Sequence, residues 1–567
     1  SSSTSLPVTL DHMRSLFVRL SVMSVLCAMV VAAAAQAPTW QHPPKLVVGI
    51  VVDQMRTDYL YRYWSNFGEG GFKRLAGQGA FLRDAHFDYA PTQTGPGHAS
   101  VYTGTTPAHH GIVTNDMFVR STGNILYCVQ DDGAVGVGGS GYKGQRSPFN
   151  LLSGTMADEL ERRFDGRSRT IGIAMKDRSA ILPIGRTGDA AYWFFEGTEG
   201  HFATSTWYMK ELPQWVKDFN AQGLATKYLS GTWDLLLPIE RYHQVLPDDN
   251  PYEEPLMGAA NATLPADLKA LLEANGGNTA LLRYVPGSNT ITTDMAIAAM
   301  VGEALGKDDV PDLLAISYSA PDELGHSVGP RALEIEDMYL RLDRELARLL
   351  TELDAHVGKG SYTVFLTADH AAVDVPEYLK DQRASAGYVD MPELVGAVNS
   401  ALSARFGEGT WVRKRVKEQL FLNDSLITAR KLDPAVVQRA AADALLKEPA
   451  IAEALTASDL VRLTYPTGIR NMVQRGFMPA RSGDVCFVLR PGYSPGWSGM
   501  VKQGTDHGAP WNYDTHVPIL FYGQGVRPGE VLHRTSITDI APTVSMLLGM
   551  TMPDAATGRV LEEVLTR

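Results

Sequence analysis

The chain has 567 residues, 44% hydrophobic and 20% charged, with a formal net charge of −12. That composition is ordinary for a folded globular protein, and 3 cysteines are too few for a disulfide scaffold. The negative balance argues against a general nucleic-acid or anionic-membrane binder, so an anionic substrate would need positive charge concentrated locally by metals and a few Lys or Arg. Length alone allows about two to four average domains, or one enlarged domain with insertions.

Met13 opens the run MRSLFVRL, with Arg14 and Arg19, followed by the apolar stretch SVMSVLCAMVVAAAA. Charged, apolar and small-residue regions in that order predict a signal peptide over 13–35 and a periplasmic or secreted protein. Cleavage is expected after Ala35, because Pro38 disfavours a cut after Ala37. The alternative is a retained anchor, although the run is only marginally long enough to span a bilayer. No stable membrane association is expected once the signal is removed. Cys27 falls inside the signal, and the sequence leaves open whether Cys128 and Cys486 pair.

KLVVGIVVDQM (45–55) is a continuous β-branched apolar run ending in polar residues, the pattern of a buried parallel strand. DLLAISYSA (312–320), SYTVFLTAD (361–369) and VPILFYG (517–523) repeat it, and helices are predicted at 156–164, 332–354 and 539–550. Strands alternating with helices predict an α/β fold, a doubly wound and mainly parallel sheet with helices on both faces. Ligands of such sheets bind outside the carboxyl ends of the strands, where Asp53, Asp322 and Asp369 stand. Two stretches interrupt the alternation, 186–290 and 371–500. Both are read as inserted regions that cap the site, because metal-type residues lie on either side of them.

The chemistry is spread over short segments. Asp322 and His326 are four residues apart, so on a helix they share one face and can share a metal. Asp369 and His370 are neighbours that can both ligate only at an irregular strand end. His507 lies in a Gly-containing loop. Each signal alone is more often a cap, turn or surface residue; four at equivalent topological positions point to a metal site. Thr94 precedes Gly95-Pro96-Gly97, which places its hydroxyl at a helix start, where negative charge is stabilised and a metal can make the oxygen nucleophilic. Thr92 is assigned to structure. Asn115, Lys176 and Arg178 are the expected substrate contacts: Arg supplies a planar fork and Lys a point charge for phosphoryl oxygens, while Asp177 points elsewhere in an extended segment. Six metal-type ligands with one hydroxyl make up the parts of a two-zinc phosphatase.

PTQTGPGHASVYTGTTPAHHGIVTND (91–116), with VVDQMR (52–57), SAPDELGH, TADHAAV and DHGAP, resembles the alkaline phosphatase superfamily. The threonine and MKDR (175–178) resemble its single-chain, secreted PhoK/PafA-type branch, and the likeness extends over 45–567. The sulfatase pattern of Cys or Ser followed by x-P-x-R is absent. The resemblance implies two zinc ions, one on Asp322, His326 and His507, the other on Asp53, Asp369 and His370, with Thr94 bridging to the second. It further implies Asn115, Lys176 and Arg178 on the phosphoryl oxygens. The expected activity is a phosphomonoesterase with a covalent phosphothreonine intermediate, an alkaline optimum and a broad range of small phosphate monoesters, acting as a monomer. A nucleotide phosphodiesterase of the same superfamily is the first alternative and a non-catalytic metal- or phosphate-binding secreted protein the second. The acidic stretch PDDNPYEEP (247–255) offers oxygens for a structural calcium.

Overall fold

A strand covered on both faces needs apolar side chains at every position, and β1 (Leu46–Val52) meets this: each of its residues is buried. The computed structural model describes residues 43–566, so the expected signal peptide and Cys27 lie outside the described residues. β1 is central to an 11-stranded sheet. Its other strands in chain order are β2 (Ala80–His86), β3 (Gly136–Val137), β4 (Thr170–Ala174), β5 (Ala190–Phe195), β6 (His201–Ser205), β7 (Asp312–Tyr318), β8 (Tyr362–Thr367), β9 (His516–Gly523), β10 (Gly529–Val531) and β11 (Thr535–Ser536). Across the sheet they run β10-β2-β9-β8-β1-β7-β4-β5-β6-β3, with β11 beside β2. The helices that matter below are α1 (Thr94–Thr103), α2 (Met156–Arg163), α3 (Asp177–Ile184), α4 (Gly287–Gly302), α5 (Ala320–Val328), α6 (Leu333–Leu353), α7 (Met391–Phe406), α8 (Pro434–Leu445) and α9 (Ile540–Leu548).

β1 pairs in parallel with β7 and β8, and β4 and β5 continue the parallel set beyond β7. Consecutive residues of β7 meet helices on opposite faces. Ser317 Oγ bonds His98 Nε2 of α1 at 2.9 Å, and the Tyr318 hydroxyl bonds Thr293 Oγ1 of α4 at 2.9 Å. Gly49 in mid-β1 is what lets the layers close: a Cβ there would lie 2.4 Å from both Phe365 of β8 and the Tyr102 hydroxyl of α1. The three expected helices form as α2, α6 and α9. α2 starts in a capping box between Thr155 and Asp158. α6 buries Met338, Leu342, Leu346, Leu349 and Leu353, a three-and-four spacing that makes one apolar face.

Two expectations are corrected. The 517–523 segment, read as parallel, is β9, antiparallel to both β8 and β2. The chain has already crossed to the carboxyl edge to place His507, so β9 must run away from that edge. The 186–290 stretch is not wholly inserted, because β5 and β6 within it belong to the main sheet. Its aromatic run Ala190–Phe195 is a fully buried strand. The 371–500 stretch holds a four-stranded antiparallel sheet of Val412–Val416, Gln419–Leu422, Val485–Leu489 and Ile451–Thr456. With α7 and α8 it builds a hydrophobic core of its own around Val398, Leu402, Trp411, Val437 and Phe487. Cys128 and Cys486 are both buried free thiols and do not pair.

Glu253, in the acidic stretch, is buried beside Glu334 in the first turn of α6; the two are 2% and 3% exposed. Burial, then the neighbouring carboxylate, pushes Glu253 up to about 9, and burial pushes Glu334 up to about 8, from an ordinary value of 4.5. The folded state therefore holds protons that the unfolded chain releases above about pH 4.5, and stability falls as pH rises from there towards 9. We predict that the melting temperature declines between about pH 5 and pH 9 and that Glu253→Gln flattens the decline; equal slopes for the two proteins would remove the pair as its cause.

Candidate active site

The sheet delivers its ligands at one edge. Asp53 directly follows β1, Asp322 lies in the first turn of α5 just beyond β7, and Asp369 follows β8. The chain leaves strand geometry after Thr367, which frees Asp369 and His370 from strict alternation. Two triads result, Asp322–His326–His507 and Asp53–Asp369–His370, each with ligand atoms within 4.8 Å of one another. These are the two sets expected from the sequence. A third such group among the described residues, Asp84, His86 and His516, lies on β2 and β9 outside the site. The acidic stretch 247–255 supplies no group of this kind.

Protonation follows from hydrogen bonding. A carbonyl can only accept, so His507 Nδ1–H donates to Thr92 O at 2.7 Å, His326 Nδ1–H to Thr505 O at 2.9 Å and His370 Nδ1–H to Ala371 O at 3.1 Å. In the neutral rings every Nε2 then presents a lone pair to a carboxylate: His326 to Asp322 at 3.2 Å, His507 to Asp322 at 3.7 Å, His370 to Asp53 at 3.4 Å. Asp53 Oδ1 and His370 Nε2 are buried and have no hydrogen-bond partner among the described residues. Lone pairs facing lone pairs with no proton between them need a cation, and carboxylate with imidazole held from behind by a carbonyl is the donor set of zinc-type metals. The residues fit two metal ions.

Charge agrees at Asp53, His370 and His507 and differs at His326. Burial first, then repulsion from Asp322 and Asp369, pushes the Asp53 carboxyl well up, against the pull of Lys176. His326 differs: burial pushes it down, yet Asp322 outweighs this and raises the imidazole to about 9, so that without a metal the Nε2 facing Asp322 carries a proton that a bound cation would displace. Burial holds His507 and His370 below the ordinary histidine value, in the neutral form that ligates. The Lys176 ammonium stands between the triads, 2.7 Å from Asp53 Oδ2, bonded to Asp322 Oδ2 and 3.7 Å from Glu323 Oε1. The sequence expectation for Lys176 was contact with substrate only; its place against two metal-type carboxylates was not foreseen.

Thr94 is the first residue of α1 and is buried. Arg178 Nη2 reaches its Oγ1 at 3.4 Å while Nη1 donates to the Tyr127 hydroxyl at 2.9 Å. Asn115 accepts from Gly95 N at 2.7 Å through Oδ1, which leaves its amide NH2 as the remaining donor. Asp177, expected in an extended segment, instead opens α3; its carboxylate takes Tyr127 and Arg146 at 2.5 and 2.6 Å. Sequence reasoning missed two residues. Gln54, at φ 63, gives its N–H to Asp369 Oδ1 at 3.2 Å and its amide to Asp322 Oδ1 at 2.7 Å, tying one triad to the other. His98 donates to Thr94 O at 2.9 Å with Asp369 Oδ2 3.3 Å from the same nitrogen. Only the adjacency of Gln54 to Asp53 and of His98 to the Thr94 helix start signalled them.

The family model for type I phosphodiesterase/nucleotide pyrophosphatase matches residues 47–510. The chain is 40% identical over 527 residues to the alkaline phosphatase PafA of Elizabethkingia meningoseptica, covering 92% of this chain and 95% of that one. It is also 40% identical over 548 residues to a Myroides odoratus protein named calcium-transporting ATPase, covering 96% and 99%. The crystal structure of wild-type PafA aligns with a TM-score of 0.88 at 39% identity, over 92% of this chain and 99% of that one. The chain belongs to the PafA-type alkaline phosphatases of this family. Membership makes it a metal-binding phosphomonoesterase acting on small phosphate esters.

In this phosphatase the close approach of α1 to Asp369 depends on Gly97. A Cβ there would lie 2.2 Å from Asp369 O and 2.7 Å from its Cβ. Backbone cannot yield as a flexible side-chain tip can, so Gly97→Ala should displace Asp369. The expected outcome is about 1–3 kcal/mol less stability and a drop in bound metal measured by elemental analysis; unchanged metal content would show that Asp369 tolerates the added methyl.

Proposed function

We propose that the phosphomonoesterase uses two zinc ions, one held by Asp322, His326 and His507 and the other by Asp53, Asp369 and His370, with Thr94 as nucleophile and a covalent phosphothreonine intermediate. The observation that carries this reading is the convergence of three imidazole Nε2 atoms, each turned inward by a carbonyl behind it, and buried carboxylate oxygens beside a threonine at a helix start. Bound zinc would supply Lewis acidity, favouring the ionised hydroxyl and neutralising phosphoryl oxygens.

The chain's own residues do the rest. Thr94 is the first residue of α1, where the helix dipole favours negative charge. Its Oγ forms a bond to phosphorus as the bond from phosphorus to the alcohol oxygen breaks; water then cleaves the phosphothreonine, releasing phosphate and restoring the hydroxyl. Arg178, steadied by Tyr127, and the Asn115 amide face the phosphoryl oxygens, and Lys176 adds positive charge between the triads, where a dianion would sit. Residues 206–290 and 371–500 would cap the alcohol side, consistent with a broad range of monoesters. We infer further that the enzyme works as a monomer outside the cytoplasm. No helix among the described residues is long and apolar enough to cross a membrane. A structural calcium at the 247–255 stretch would have to displace the proton held by Glu253 and Glu334. Added calcium should then raise the melting temperature at pH 9 in wild type but not in Glu253→Gln.

Thr94→Ala should lower kcat by at least about 1,000-fold while elemental analysis still finds two zinc ions; near-normal turnover in the zinc-loaded variant would rule the nucleophile out. The family model's description favours one second reading, a nucleotide phosphodiesterase. Rates on 4-nitrophenyl phosphate and bis(4-nitrophenyl) phosphate separate the two. Wild type should prefer the monoester, and the Lys176→Ala/Arg178→Ala variant should lose most of that preference. A wild-type preference for the diester would reverse the assignment, and a zinc-loaded protein that hydrolyses neither would favour a binding role.

A further inference from the structure

Beside the reaction centre lies a cleft of about 280 Å³. Five basic side chains line it, Lys143, Arg146, Lys176, Arg178 and Arg283, against two acidic ones, Asp177 and Glu196. That is an inversion of the molecule's overall charge of −12. Concentrated basic charge on an acidic protein is a focusing device for anions.

Some of these cations are fully committed. Lys176 is held by Asp53 and Asp322. Arg146 bonds Asp177 at 2.6 Å and lies over the rings of Tyr142 and Tyr127, 4.0 and 4.9 Å from their centres, so those aromatic faces are already taken by a guanidinium. Lys143 and Arg283 are different, because both turn to the one carboxylate of Glu196. Arg283 also bonds Glu323, which Lys176 shares. Burial and then repulsion from Arg283 push the Lys143 ammonium down. The Nε–H groups of Arg178 and Arg283 are buried and have no acceptor among the described residues. Unmet buried donors in a basic wall are satisfied by an anion with several oxygens.

Arg178 joins this cleft to the chemistry, since the guanidinium that reaches Thr94 Oγ1 at 3.4 Å is also part of the cleft wall. A group bound there is one side chain away from the phosphoryl group being transferred. We propose that the cleft binds a second phosphate on the alcohol portion of the substrate, that small bisphosphorylated alcohols are the preferred substrate class, and that Lys143 and Arg283 are the residues that set this preference. The inference rests on the reading of Arg178 as a phosphoryl ligand.

The test compares kcat/KM of the zinc-loaded enzyme for 1,3-propanediol bisphosphate and for propyl phosphate, which differ only in the second phosphate. Wild type should favour the bisphosphate by about tenfold or more, the worth of one charged hydrogen-bonded pair. Lys143→Ala should remove most of that advantage and leave propyl phosphate within about twofold of wild type, because Lys143 touches neither Thr94, Asn115 nor either triad. Arg283→Lys should retain more of the advantage than Arg283→Ala. Added salt should erode the bisphosphate rate more steeply than the propyl phosphate rate. Equal kcat/KM for the two esters in wild type, or an equal fall for both in Lys143→Ala, overturns the proposal. Failure to hydrolyse propyl phosphate with retained diester hydrolysis is a separate outcome, which overturns the monoesterase reading beneath it.

Discussion

Asp53, Asp322 and Asp369 are buried side by side at one edge of a sheet, and the need to neutralise them organises what surrounds them. Like charges in a low-dielectric setting cost several kcal/mol each unless they are paired. The one ammonium among them, Lys176, reaches Asp53 and Asp322 but not Asp369, and that is not enough. The remaining charge is left to cations from outside. Three backbone carbonyls, of Thr92, Thr505 and Ala371, turn the imidazoles so that their lone pairs meet those cations. Gln54 keeps the two halves at a fixed separation by bonding one carboxylate of each. Precision here comes from ordinary backbone groups positioned by loops, which in turn are positioned by β1, β7 and β8.

The parallel centre of the sheet was legible because β-branched apolar runs with no polar phase have few other uses, and the polar residues that end them mark the carboxyl edge. The six metal-type residues were read as a set for the same topological reason, although each alone was weak, and the fold gathers them into two triads. Strand direction was not legible for β9, since a continuous apolar run reads alike in both senses. The aromatic run of β5 was misread as cap because Trp and Tyr flanked by Gly and Pro resemble loop composition. Gln54 and His98 escaped because their work is hydrogen bonding to partners far away in sequence, and no spacing rule announces such a partner.

The 371–500 region shows how the fold tolerates enlargement. It carries its own antiparallel sheet and apolar core, so it adds surface without drawing on the packing of β1 and β8. Its ends rejoin the main body at Asp369–His370 and at the loop of His507, which are themselves metal-type ligands. A loop that would otherwise be a liability thus starts and finishes on fixed points.

The order of the ligands along the chain has a consequence for how the molecule comes into being. Asp53 is synthesised early, and His507 only after both interruptions of the sheet have been made. A nascent chain that has produced β1, β7 and β8 already owns all three carboxylates yet lacks the imidazole that completes the Asp322 triad. β9, which must slot between β2 and β8, is later still. Assembly of the sheet and its centre cannot finish before His507 and β9 have emerged. Until then the half-built centre is an acidic patch that must be shielded by water or borrowed counter-ions; the Asp53 triad is complete once His370 has emerged, whereas the Asp322 triad waits for His507.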